Sequence, residues 1–235
     1  MKILLGLTTT PGSDWRDKVR EIKEFNIKEI ALFPTFLNPE ERKELYRLLE
    51  GTEVESIPHV HLRDDSDEEE LDYLIDRFNV KVFNTHSNKS AINGYLKSKH
   101  ADKIYVENHY SFDDELRSAV NNFAGACLDV AHWEDYGVIQ SQTEYSGFED
   151  FLKSKKIGCC HISAIRDYSA TFKNYLNGEE VKVFSWHKYK ELCEFNYLKK
   201  YVEYLPDLVS IELENSFEEQ MLARDYIINL INKHE

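Results

Sequence analysis

ESIPHVHLR (55–63), DEEELDYLIDRF (67–78) and VKVFNTHS (80–87) follow one another in this chain, and their order decides the fold. The first and third are apolar runs of strand length. The second places Leu71, Leu74, Ile75 and Phe78 at helical spacing, with acids in its first turn. A strand, a helix and a strand of these lengths make a crossover unit, which joins parallel strands.

The same alternation runs outward in both directions. Strands are expected at 2–9, 29–36, 55–63, 80–87, 103–109, 125–132, 157–165 and 208–215. Helices are expected at 14–25, 40–49, 67–78, 91–99, 113–122, 148–155, 189–204 and 216–233. Asn38 before Pro39 reads as a helix start, Ser111 as a candidate cap, and Ser216 with Glu219 as a capping box. Eight strands, each followed by helical sequence, point to a single (β/α)₈ TIM barrel over residues 1–235, an α/β fold. An open doubly wound sheet is the alternative, but the chain has no glycine-rich phosphate loop of that fold. The less regular stretch 166–188 reads as a long loop beside the site.

The 235 residues, 42% hydrophobic and 31% charged, suit one soluble domain with a large core. A net charge of −14 argues against a broad basic surface for nucleic acid. No stretch approaches membrane-spanning length, and the first apolar residues are too few for a secretion signal, so a cytoplasmic location is expected. Cys127, Cys159, Cys160 and Cys193 have no ligand-like or framework spacing and read as reduced structural thiols. Oligomeric state is not legible.

Acids and histidines gather at the strand ends. Alternate residues of a barrel strand point inward. That period groups His59 with His61, Asn84 with His86, and Tyr105 with Glu107 and His109. It also groups Cys127 with Asp129, Cys159 with His161 and Ser163, and Ser210 with Glu212 and Glu214. These faces lie in the C-terminal halves of their strands, where barrel enzymes carry catalytic groups. A lone strand histidine is more often a hydrogen-bonded core residue than a ligand. Burying Glu107, Asp129 and Glu212 together would cost on the order of several kcal/mol each without compensation. A divalent cation held by carboxylate and imidazole supplies that compensation. His132, just past strand six, is placed to ligate a second metal or to touch substrate. Which of His59 and His61, and which of Glu212 and Glu214, is the ligand stays open, because a one-residue slip exchanges the faces. Trp133, Tyr136, Phe33 and Trp186 are candidate walls of a small pocket.

With these residues in view, the chain resembles the xylose-isomerase-like barrel superfamily, which holds sugar isomerases and epimerases and the endonuclease IV type of apurinic endonuclease. The resemblance spans the chain. It rests on Asn84-Thr85-His86, Val106-Glu107-Asn108, Leu128-Asp129-Val130-Ala131-His132, Cys160-His161-Ile162-Ser163 and Ser210-Ile211-Glu212-Leu213. It implies that Glu107, Asp129, His161 and Glu212 hold a shared metal: manganese, zinc, magnesium, cobalt or iron. In the isomerase branch Glu107 and Glu212 would also move protons, and Arg166 would orient a substrate oxygen. In the endonuclease branch extra metals would draw on His59 or His61, on His86 and His132, and on an Asp-x-His pair. Here that pair reads Ser185-Trp186-His187, which puts a third metal in doubt. His109 and Glu214 are further candidates for metal or substrate. The preferred expectation is a metal-dependent isomerase or epimerase of a small sugar-like compound, with one metal and a carbohydrate-like partner. The alternatives are a phosphodiesterase of abasic DNA with two or three metals, and a barrel without catalysis.

Overall fold

The computed structural model describes residues 1–110, 112–173 and 180–233. The first strand is split at Leu5 into β1 (Lys2–Leu4) and β2 (Gly6–Thr8). There follow β3 (Glu29–Phe33), β4 (Ser56–His61), β5 (Val82–His86), β6 (Ile104–Glu107), β7 (Gly125–Asp129) and β8 (Ile157–Ile162). After these come β9 (Ala164–Lys173), β10 (Glu180–Trp186) and β11 (Leu208–Ile211). The main sheet runs β1-β11-β8-β7-β6-β5-β4-β3-β2, and every pairing in it is parallel. Its two ends are halves of one strand, so with β1 and β2 taken together eight strands close on themselves. This is a TIM barrel.

The closing seam explains two residues. A Cβ on Gly6 would stand 2.0 Å from the Ile211 carbonyl oxygen, so only glycine allows the strands to approach there. Gln220, fully buried, accepts from the Gly6 amide at 2.8 Å and donates to the Gly6, Leu213 and Asn215 carbonyls at 2.9, 3.1 and 3.0 Å. One amide side chain thereby satisfies the backbone that the split strand leaves unpaired.

The outer layer holds α1 (Trp15–Glu24), α2 (Pro39–Glu50), α3 (Glu68–Phe78), α4 (Lys89–Tyr95), α5 (Asp114–Asn122), a single turn α6 (Val130–His132), α7 (Phe148–Lys153) and α8 (Phe217–Asn232). Capping boxes start α2 at Asn38 with Glu41 and α8 at Ser216 with Glu219. Asp113 caps α5; Ser111 lies outside the described residues. The main apolar core fills the space between helices and strands. Inside the barrel, small clusters of Leu4, Ala31 and Phe33, and of Tyr105, Cys127 and Cys159, plug the interior. All four cysteines are free thiols, Cys193 alone exposed. No helix among the described residues is long and apolar enough to cross a membrane.

Two segments differ from expectation. The stretch read as a loop from Arg166 forms an antiparallel hairpin of β9 and β10, outside the barrel sheet. The stretch read as a helix at 189–204 is two 3₁₀ runs, Leu192–Lys200 and Val202–Tyr204. Phe195, Leu198 and Tyr201 are buried at spacings of three, which suits the three-residue turn and not the α-helix.

Candidate metal centre

Six strands deliver the polar side chains to one end of the barrel. Glu107 ends β6 and stands at the centre. One of its carboxylate oxygens lies 3.1 Å from His61 Nε2, 3.5 Å from His161 Nδ1 and 2.6 Å from the donating Asn84 Nδ2. The other lies 3.7 Å from His86 Nε2. His61, His86 and Glu107 form one set whose ligand atoms all lie within 4.8 Å of one another. A second set surrounds His161, whose Nδ1 is 3.4 Å from Glu212 and 4.0 Å from Asp129 Oδ2. Glu107 belongs to both.

The hydrogen bonding is incomplete in a way that fits a cation. His61 Nδ1 is 2.8 Å from the Leu62 carbonyl, which places its proton there and leaves Nε2 bare. That bare nitrogen faces a carboxylate and the Nε2 of His86 at 3.3 Å. A proton on His86 Nε2, or a bound cation, can fill the space between them. Asp129 Oδ2 and His161 Nδ1 are buried and have no hydrogen-bond partner among the described residues. Native structures rarely leave such atoms unpaired. A donor set of imidazoles and carboxylates with outer nitrogens already hydrogen-bonded is what a divalent metal takes.

The electrostatics agree. Burial would lower the His161 imidazole, but Glu107, Glu212 and Asp129 outweigh it and lift it to about 10. Burial would raise Glu107 and Glu212. The imidazoles around them hold Glu107 well below the carboxylate range and Glu212 at about 2. Asp129 moves up, because burial dominates over His132 and His161. Without a metal, an imidazolium therefore supplies the missing positive charge. Burial lowers His61, whereas Glu107 overcomes burial to raise His86.

The geometry separates the paired candidates. His59 is fully buried, with Nδ1 2.7 Å from the Ser210 hydroxyl and Nε2 3.0 Å from Asn84 Oδ1. Both nitrogens are taken, so His59 supports Glu107 through Asn84 while His61 enters the cluster. Glu212 faces His161, with its second oxygen 3.9 Å from His187 Nε2. Glu214 sits at the rim, where its carboxylate accepts from the Thr10 hydroxyl.

Asp129 is fixed from two sides. Its Oδ1 accepts the His132 amide at 2.7 Å, capping the turn α6, and this leaves Oδ2 for the cluster. The Asn108 side chain exchanges two 2.9 Å bonds with the Asp129 backbone. His132 Nδ1 lies 3.2 Å from the Asn108 carbonyl and Nε2 lies 3.8 Å from Asp129 Oδ2. His109 stacks on His86, with ring centres 4.4 Å apart, and lies 4.9 Å from His132. Burial and these two neighbours push His109 well below the usual histidine range.

Two expected substrate residues are placed elsewhere. Arg166 is buried, donating to Glu194 at 3.2 Å and to the Lys188 carbonyl, with its guanidinium 4.3 Å from the Trp186 ring centre. Those contacts engage its Nε and Nη2 on the protein. Trp133 packs against Phe148, Tyr201 and Tyr204 as core rather than as a pocket wall. Phe33 does line the site floor, 4.9 Å from the His161 ring.

Sequence reasoning gave no role to Asn108, Ser210 or Asp135. Asn108 and Ser210 lie within or beside the quoted motifs, so their position was the available signal. Asp135 had none, because its partners are about fifty residues away in sequence. Fully buried, it accepts from Gln140 Nε2, the Phe184 and Ser185 amides and the Ser185 hydroxyl at 2.7, 2.7, 2.8 and 2.9 Å.

The fold compares with known structures at this point. Over 99% of this chain and 97% of the other, it superposes on a xylose isomerase-like TIM barrel protein from Mycobacterium smegmatis, crystallised in complex with magnesium. The TM-score is 0.51 and the identity 11%. The likeness is one of fold, a TIM barrel. An uncharacterized protein from Parabacteroides distasonis aligns over 95% of this chain and 97% of its own, at TM-score 0.47 and 13% identity. No protein-family model and no curated protein matches the sequence.

Proposed function

We propose that this xylose isomerase-like barrel is a metal-dependent hydrolase of phosphate esters, working at two divalent cations that share Glu107. One observation carries the reading: the Glu107 carboxylate meets His61 and His86 and also His161, which itself lies beside Asp129 and Glu212. A one-cation centre at the second set would leave His61 and His86 held against Glu107 by protons alone. Two bound cations would lower the pKa of a water and neutralise charge developing on a phosphoryl oxygen.

The chain's own residues divide the remaining work. Asn84 donates to Glu107 and keeps its carboxylate turned to both sets. Cys127 Sγ, 3.4 Å from His161 Nε2, holds that ring so that Nδ1 faces the acids. His86, His109 and His187 are only half-buried and meet solvent at the mouth, where they would contact the ester. The Tyr145 hydroxyl donates to the His109 carbonyl and steadies this rim.

Isomerisation or epimerisation of a small sugar-like compound is the second reading. It is favoured by Glu107 and Glu212 facing the same nitrogen of His161 at 3.5 and 3.4 Å, as two bases beside one cation would. The engagement of Arg166 with Glu194 weighs against it.

Elemental analysis of protein purified without chelator, paired with hydrolysis of bis(p-nitrophenyl) phosphate, tests the choice. Two cations per chain, and hydrolysis abolished in Glu107→Gln, are expected. One cation with turnover of an aldose or ketose would move the assignment to the second reading. No metal after incubation with excess would remove both and leave a non-catalytic barrel.

A further inference from the structure

The hairpin of β9 and β10 begins three residues after His161 and ends one residue before His187. Its ladder is irregular. Ser185 pairs with Ile165 and Val183 with Ala170, so Phe184 alone stands opposite the four residues from Arg166 to Ser169. The bulge bends β9 and brings three rings together. Tyr168 and Phe172 lie 6.0 and 6.2 Å from the Trp186 ring centre. Tyr168 is 45% exposed and Phe172 51%, an uncommon outlay of aromatic surface so close to a polar site.

Cations accompany the rings. Arg166 packs on Trp186, and Lys190 lies 5.6 Å from the centre of Tyr168. Residues 164–190 contain five Lys or Arg against three Asp or Glu, in a chain with 29 against 43 overall. Arg166 is buried against Glu194, so the exposed charges here, Lys182, Lys188 and Lys190 with Asp167 and Glu180, nearly balance, and the hairpin is a nearly neutral, aromatic face on an acidic protein. Trp186 is joined directly to His187, whose Nε2 is 3.9 Å from Glu212.

We infer that this face binds the base of a nucleotide, with Tyr168 and Phe172 stacking on the heterocycle while the phosphate lies toward His187. Stacking on protein aromatics is open to every base because each has a π-face. The charge balance selects a short ligand: a long polyanion would meet the repulsion of the remaining acidic surface. The inference rests on the phosphate-ester reading and narrows its substrate class to base-bearing esters.

Calorimetric titration of the metal-loaded protein with adenosine monophosphate and with ribose 5-phosphate tests it, because both carry the phosphate and only one carries a base. The nucleotide is expected to bind roughly 5- to 150-fold tighter, the range a single stacked base confers. Tyr168→Ala with Phe172→Ala should remove that advantage. Phe172→Leu, which keeps bulk without a π-face, should remove part of it. Equal affinities, or an advantage unchanged in the double variant, overturn the inference. So does sedimentation showing self-association that the double variant abolishes while the two ligands bind alike, since a second copy would then own the face. The titration needs no turnover. Hydrolysis of the simple diester without a preference for the nucleotide refutes the platform alone. A preference without hydrolysis refutes the hydrolase alone.

Discussion

Replacing His161 by Gln tests the electrostatic account of the centre. In chelator the imidazolium is the one positive group that faces Glu107, Glu212 and Asp129 together, at 3.5, 3.4 and 4.0 Å. Removing one partner from a buried ionic cluster costs about 3–5 kcal/mol. For a domain of this size that is roughly 6–20 °C in Tm, at about 2–4 °C per kcal/mol. The sign with pH follows from the raised pKa. The unfolded imidazole titrates near ~6.5, and the folded one is lifted to about 10. The stabilisation is therefore complete below the unfolded value and is lost as pH rises through the folded one. The stability gap between wild type and His161→Gln, measured by urea denaturation in chelator, should be widest below about pH 6.5. It should close toward about pH 10, with a slope no steeper than ~1.4 kcal/mol per unit. With metal the trend reverses, because the cation must displace that proton and binds more tightly as pH rises. At a free metal concentration of 100 Kd the wild type should gain about 2.7 kcal/mol for each cation bound. A gap that is constant from neutrality to pH 10, or smaller than about 1 kcal/mol at neutrality, would refute the reasoning. The proton would then sit on a carboxylate, with Asp129 the candidate.

His61→Gln should lose one cation of the pair, whereas His59→Gln should keep both and weaken their affinity about 10- to 100-fold, as outer hydrogen-bond partners of ligands do; metal titration separates them. Asp135→Ala should destabilise the protein by about 1–3 kcal/mol for each donor left buried without a partner, and amide exchange should locate the loosening at Phe184 and Ser185, which lose their acceptor. Gly6→Ala should cost at least about 1–3 kcal/mol in urea denaturation, because the new Cβ would meet the Ile211 carbonyl at 2.0 Å.

The barrel was legible because its signal is repeated and local. Each strand announces itself by an apolar run, each helix by its spacing and caps, and a parallel crossover leaves little choice of topology. The inward faces were legible for the same reason: once the strand phase is known, a period of two places Asn84 with His86 and Cys127 with Asp129. What the period does not contain is which nitrogen of which ring is free. His59 and His61 lie on one face and differ only in having Ser210 and Asn84, from two other strands, beside the first and Leu62's carbonyl beside the second. The hairpin was unreadable because its ladder is bulged, so neither alternation nor helical spacing survives along 166–188. Arg166 follows from this. Read as a loop, the segment offered a free guanidinium; folded as a hairpin, it turns that guanidinium onto Glu194 and Trp186.

The position of Ser185 bears on how many cations the centre takes. By the resemblance, an aspartate there would be the acid of a third site. Instead Ser185 donates its amide and hydroxyl to Asp135, whose second oxygen is taken by Gln140. Asp135 is thus fully engaged in holding a bulged strand whose amides have lost their ladder partners, and it has no oxygen to spare. The acids nearest His132 and His187 are Asp129 at 3.8 Å and Glu212 at 3.9 Å, both already part of the second ligand set. A third cation would have to draw on carboxylates committed to another. The half-buried His187 is better used as a donor to an incoming anion. On this reading the same serine that removes one metal frees His187 for the substrate and, through Asp135, fixes the base of the hairpin on which Tyr168 and Phe172 are displayed.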